Sequence, residues 1–236
     1  RASGEDPWKS EIPQTFTTLY VKTAGDNTVM TAEQMKAVAD AVKALAAPAT
    51  VDFSEVVYES ETFPNSFKSN ANLAGIVFPQ NVTKTASAAF QKTGMTSVTL
   101  LKGISYGSNA FDSCASLVSV TVEEGVTEIG NYMFQNTKLT DVTLPNSVTK
   151  IGASAFNGCS LTTINFGQGV KTIENSAFQN CGELTEIILP DATETLGQNA
   201  FGDCPKLAKI SLGKNMKTLE AYCFVGYSKG CPLLGD

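Results

Sequence analysis

Eight phenylalanines, Phe67, Phe90, Phe111, Phe134, Phe156, Phe178, Phe201 and Phe224, recur at intervals of 23, 21, 23, 22, 22, 23 and 23 residues. A chain with that period is made of stacked coils, each burying its apolar side only against the coils before and after it. One turn reads Leu139-x-x-Val142-x-Leu144-Pro145-Asn146-Ser147-Val148-Thr149-Lys150-Ile151-Gly152-x-x-Ala155-Phe156-Asn157-Gly158-Cys159-Ser160, and the next opens at Leu161. The period therefore predicts a solenoid, without a single closed active-site pocket.

Within each turn a β-branched stretch alternates with period two: Ile76-Val77-Phe78, Val98-Thr99-Leu100, Val120-Thr121-Val122, Val142-Thr143-Leu144, Ile164-Asn165-Phe166, Ile187-Ile188-Leu189 and Ile210-Ser211-Leu212. This is the pattern of a short strand with one buried face. A second apolar pair precedes each Phe, as in Val126/Ile129, Val148/Ile151 and Val170/Ile173, and marks the return side, expected as short irregular or 3-10 segments. Counting Val51-Asp52-Phe53-Ser54 as a first unit, about eight parallel strands stack between residues 51 and 212. At ~4.8 Å per strand they form a sheet about 35 to 40 Å long. The 21-residue interval marks a shortened turn at Leu100-Leu101-Lys102-Gly103-Ile104-Ser105-Tyr106-Gly107, with Tyr106 where other turns carry Ile or Leu. A local irregularity is expected there, tightened by Gly103 and Gly107.

The ends differ from the repeats. Residues 1–15 read as a tether, 16–50 as a capping segment, 51–226 as the solenoid and 227–236 as a tail. A helix is expected over about 31–47, stopped by Pro48, with Thr31 and Gln34 as a capping box and Met35, Val38, Val42 and Leu45 on one face. It would cover the open end of the first turn, as solenoids require, and Thr17 to Lys22 would add a short strand to that cap. Asp26-Asn27 resembles the start of a calcium loop, but its twelfth position is Ala37 rather than Glu, so no metal is expected. Arg1 in place of an initiator Met reads as a chain whose leader was removed.

The motif Leu-x-x-Ile-x-Leu-Pro-x-x-Val-x-x-Ile-Gly-x-x-Ala-Phe-x-x-Cys resembles the BspA-like leucine-rich repeats of bacterial surface proteins, over about residues 51 to 226. The resemblance implies a leucine-rich-repeat solenoid at the cell surface, exported or lipid-anchored. It also implies adhesion or protein binding, with host extracellular-matrix or plasma proteins as ligands.

Composition narrows the chemistry. With 23 acidic and 17 basic residues the net charge is -6, and Arg1 is the one arginine, so nucleic acid is not an expected partner. No apolar stretch reaches the ~18 residues that span a bilayer. The chain contains no His. Gly103-Ile104-Ser105-Tyr106-Gly107 and Ser147-Val148-Thr149-Lys150 copy Gly-x-Ser-x-Gly and Ser-x-x-Lys motifs, but the first lacks a His partner and the second lies in turn chemistry. No enzyme and no cofactor are expected. Cys114, Cys159, Cys181 and Cys204 all stand three residues after a repeat Phe, where other turns carry Asn70, Thr93, Thr137 and Tyr227. A slot shared by Cys, Thr and Asn reads as a buried, reduced ladder of small side chains, with an inter-repeat bridge or a Cys223–Cys231 clasp as the alternative.

What remains is surface. Alternation turns outward Val77, Thr99, Leu101, Thr121, Glu123, Asp141, Thr143, Asn165, Glu186, Ile188, Lys209 and Ser211, with Pro79, Pro145 and Pro190 beside them, as the candidate protein-binding face. Read this way the face is flat, with no Tyr, Trp or Arg anchor and no aromatic platform for sugars. The alternative is a structural or assembly role through a poorly covered C-terminal end, where Cys231-Pro232-Leu233-Leu234 echoes Cys204-Pro205-Lys206-Leu207.

Overall fold

The computed structural model describes residues 18–22 and 29–225; the tether, Asp26-Asn27, Tyr227, Cys231 and the tail lie outside the described residues. Within them the Ile/Val-x-Leu cores form parallel strands Leu73–Val77, Ser97–Leu100, Ser119–Val122, Asp141–Thr143, Thr163–Asn165, Glu186–Ile188 and Lys209–Ser211. The first unit adds Ala49–Asp52, two residues earlier than its Val-Asp-Phe core, and Thr18–Tyr20 adds one more strand in front of it, Tyr20 opposite Asp52. The row is a series of hydrogen-bonded groups rather than one ladder: 18–20 with 49–52 and 73–77, then three strand pairs. Strands this short, in turns of unequal length, keep their order while the ladder hydrogen bonds lapse between groups.

The return side is more regular than expected. Its two-residue strands Glu128–Ile129, Lys150–Ile151, Thr172–Ile173, Thr195–Leu196 and Thr218–Leu219 form a second parallel ladder, and no 3-10 helix occurs among the described residues. The inward members of both ladders meet in one core: Leu100, Leu144, Ile151, Ile173 and Leu196 are all buried.

The third side is the Phe corner. Rings of Phe111, Phe134, Phe156, Phe178 and Phe201 stack face to face at centroid distances of 5.6, 5.5, 5.1 and 5.1 Å. Between Phe67 and Phe90 the ladder inserts Phe63, 5.9 and 5.5 Å from the two rings. The backbone here alternates between right- and left-handed conformations. Residues two before and two after a repeat Phe take positive φ, for example Asn109 and Ser113 around Phe111, and Tyr132 and Asn136 around Phe134. That alternation turns successive N–H groups in one direction, toward the next turn: Tyr132, Phe134 and Asn136 donate to the Ala153, Ala155 and Asn157 carbonyls, each at 2.8 Å. Each left-handed non-glycine residue costs about 1 kcal/mol, and the hydrogen bonds between turns offset it. Gly158 is the member of this set with no Cβ; an added Cβ would lie 2.6 Å from Asn136 Oδ1 at φ +71. Gly158→Ala is therefore expected to lower stability by about 1 to 2 kcal/mol in denaturant unfolding.

The cap helix runs Ala32–Lys43, with both arms of the Thr31/Gln34 capping box formed. It stops four residues short of the expected end, because Asn72 Nδ2 donates to the Lys43 and Leu45 carbonyls and Asn70 Nδ2 to that of Ala39. Met35, Val42 and Leu45 are buried and Val38 is half-buried.

Candidate functional site

The outward residues of the strand row form one continuous surface. Thr99 lies opposite Thr121, Thr143 opposite Asn165 and Ile188 opposite Ser211, all six exposed. Two residues earlier on the same face, Asp141 lies opposite Thr163 and Glu186 opposite Lys209, whose ammonium pairs with the Glu186 carboxylate. Val77 is exposed and continues the first row to Asp52 and Tyr20.

Two expectations change. The face does carry an aromatic: Tyr20, 68% exposed, stands at its N-terminal edge. Thr18–Tyr20 belongs to no repeat, so periodicity could not place it there. The column of Pro79, Leu101, Glu123, Pro145 and Pro190 does not extend the face in full. The strands end before these residues, and the chain turns inward, so Pro79 and Pro190 are buried and Leu101, Glu123 and Pro145 half-buried. Glu123 is drawn to the preceding turn, its Oε2 accepting from the Lys102 N–H at 2.9 Å.

The face is two side chains wide, lined by hydroxyls and amides, with Ile188 (58% exposed) and Val77 as apolar points. Within each hydrogen-bonded group of strands the main-chain groups beneath it pair in the ladder. It offers many similar contacts at strand spacing, suited to binding an extended partner surface rather than to chemistry on a small substrate.

The residues that copied catalytic motifs are committed elsewhere. Ser147 Oγ accepts from the Gly125 N–H and donates to the Val126 carbonyl, both at 2.8 Å, and Lys150 pairs with Glu174 at 2.8 Å. Ser105 lies in the shortened turn, bridged to Lys84, and precedes no helix.

The cysteine slot is a hydrogen-bonding position. Cys114, Cys159, Cys181, Cys204 and Cys223 are buried free thiols. Cys114 and Cys159 donate at 3.1 Å to the Phe90 and Phe134 carbonyls of the turn before, and Cys181 and Cys204 donate at 3.3 Å to those of Phe156 and Phe178. Thr93 and Thr137 fill the same slot and bond the carbonyls of Phe90 and Phe134 at 2.9 Å. Burial pushes the Cys159 thiol up to about 11 and that of Cys181 well above the ordinary value, because desolvation disfavours the thiolate. An unfolded thiol ionises near about pH 8.5, so between there and about 11 the unfolded chain binds fewer protons than the folded one. Stability carried by these thiols is flat below that window and falls as pH rises through it. In the folded protein they should resist alkylation at pH 8, and react fully once denatured, as counted by mass spectrometry.

No helix among the described residues is long and apolar enough to cross a membrane. A family model described as a BspA type leucine-rich repeat region matches residues 50–106 and 104–230, in six copies. No curated protein matches the chain. Among solved structures, a leucine-rich cell surface protein from Faecalibacterium prausnitzii is 21% identical, with a TM-score of 0.53, over 78% of this chain and 62% of that one. A leucine-rich repeat protein from Eubacterium ventriosum is 23% identical, with a TM-score of 0.52, over 75% and 58%. The chain thus spans about three fifths of their length, and at this identity the likeness concerns the fold.

Proposed function

Because the chain belongs to the BspA-type leucine-rich repeat family, we propose that it is a non-enzymatic protein-binding or adhesion module that uses its exposed sheet face. The observation that carries this reading is the row Val77, Thr99, Thr121, Thr143, Asn165, Ile188 and Ser211, exposed one after another along the strand row. An exported location at the cell surface, with a host extracellular-matrix or plasma protein as ligand, fits the family. The Faecalibacterium relative is itself described as a cell surface protein. Repeated small contacts favour broad, low-affinity binding that gains strength from many copies. The test is a screen of the immobilised protein against such proteins, beside a variant with Thr99, Thr121, Thr143 and Asn165 changed to Lys. Saturable binding that weakens by about tenfold or more in the variant supports the reading, whereas binding unaffected by the four lysines would refute it.

One observation favours a second, structural reading. In the last described turn Leu212 and Leu219 are 42% and 50% exposed, whereas their counterparts Leu100 and Ile129 are 0% and 1%. Exposed leucines of this kind suit association between copies of the chain. Mass that rises with concentration in sedimentation, and falls back in Leu219→Asp, would favour it.

A further inference from the structure

We infer that the sheet face receives a basic side chain of its protein partner at its N-terminal end, a lysine or arginine held between the ring of Tyr20 and the carboxylate of Asp52. The inference rests on the sheet-face reading above and names the chemistry that the face selects. Tyr20 lies opposite Asp52 and Asp52 opposite Val77 on three neighbouring parallel strands. The three side chains therefore share one side of the sheet at steps of ~4.8 Å. Tyr20 and Val77 are exposed and Asp52 is half-buried.

This row is held in place from below. The Val21 N–H donates to the Asp52 carbonyl at 2.9 Å, and Leu19 packs against the core, which keeps Tyr20 on the outer side. Asp52 Oδ1 accepts from the Ser54 N–H at 2.8 Å, which fixes the carboxylate, and no donor among the described residues reaches Oδ2. Lys22, two residues beyond Tyr20, is committed to Glu55 at 2.8 Å, so it leaves Asp52 without a counter-charge. Farther along the face, Glu186 already has Lys209 as its cation, and Asp141 accepts from the Thr140 hydroxyl at 3.0 Å.

An exposed ring beside a fixed carboxylate with no cation in place is complementary to an ammonium or guanidinium. The ring face attracts the cation, the carboxylate accepts its hydrogen bonds, and its aliphatic stem can lie along Val77. An acidic side chain would be repelled there, and an apolar one would bury Asp52 Oδ2 without a partner. The net charge of -6 acts in the same direction, drawing a basic partner toward the chain.

The probe is acetyl-tetralysine amide, followed by amide chemical shifts of the full chain, with the Nε-acetylated peptide as the uncharged control. In about 0.1 M salt, charges more than about 10 Å apart are screened. Saturable shifts at Tyr20, Asp52 and Val77 are expected with the first peptide and not with the second. Asp52→Asn keeps an oxygen for the Ser54 N–H, and Tyr20→Leu changes an exposed side chain, so both are expected to fold. Each should weaken the probe about threefold, and the double variant about tenfold. Asp141→Asn removes the same charge four strands away and should leave the affinity unchanged. Absence of shifts at these amides at tens of millimolar probe, equal shifts with the acetylated peptide, or an equal loss in Asp141→Asn overturns the inference. A protein ligand that is lost with Lys at Thr99, Thr121, Thr143 and Asn165, yet binds the Tyr20→Leu/Asp52→Asn protein unchanged, overturns it as well and leaves the sheet-face reading standing.

Discussion

Phe156→Ala is expected to lower stability by about 3 to 5 kcal/mol. The ring is fully buried and stacks between Phe134 at 5.5 Å and Phe178 at 5.1 Å. Removing it deletes the transfer free energy of a buried aromatic, about 1.5 to 3 kcal/mol, and two ring contacts of about 0.5 to 1.5 kcal/mol each. It also leaves a cavity that the hydrogen-bonded corners on both sides cannot collapse to fill. Because each turn touches only its neighbours, the loss falls on both interfaces at once. Phe156→Leu, which keeps most of the volume, should lose less than half as much. Phe224, stacked among the described residues on Phe201 alone at 5.9 Å and with a half-buried side chain, should cost less again when changed to Ala. Urea unfolding followed by circular dichroism orders the three; equal losses at Phe156 and Phe224 would contradict a ladder held by neighbour stacking.

The second large effect comes from a glycine. A Cβ on Gly169 would lie 1.9 Å from the Asn146 carbonyl oxygen and 2.9 Å from that of Val148. Both are main-chain atoms of the preceding turn, so no side chain can swing away, and the connecting backbone itself would have to move. Gly169→Ala is expected to cost about 2 to 3 kcal/mol, the upper range of overpacking. Gly182 provides the matched control: a Cβ there meets nothing within 4 Å, and Gly182→Ala should be neutral or stabilising by up to about 1 kcal/mol through the unfolded chain. Thermal melts of the pair measure the difference. A Gly169→Ala protein as stable as the Gly182 variant would show that adjacent turns can separate locally.

Most of the architecture was legible because the repeat states it many times. The Phe period located each turn, the Ile/Val-x-Leu cores located the strands, and Tyr106 in an Ile/Leu position marked the irregular turn. Thr31 and Gln34 located the helix start, because a capping box is a local signal. Its end was not legible, since the clamp comes from Asn70 and Asn72 in the next element. Phe63 was missed as a rung because it comes from the return side of the first unit, outside the Phe period. The left-handed positions were hidden for another reason: Lys92 and Tyr132 adopt positive φ although their types disfavour it, under the constraint of hydrogen bonds to the next turn. On the candidate face, alternation correctly turned Thr99, Thr121, Thr143 and Asn165 outward. It failed at Pro79 and Pro190, where the strand had already ended and period two no longer applied.

The central claim is that recognition uses the sheet face in particular, and a comparison of two variants of equal charge tests it. One carries Lys at Thr99, Thr121 and Thr143; the other carries Lys at Ser69, Asn136 and Asn180, exposed left-handed positions of the Phe corner, a conformation that Lys92 already adopts in this chain. Binding of both to the protein ligand recovered by the screen is measured by surface plasmon resonance. Loss in the first variant with retention in the second is the predicted result; equal loss in both, or loss in the second alone, would contradict the assignment of the sheet face.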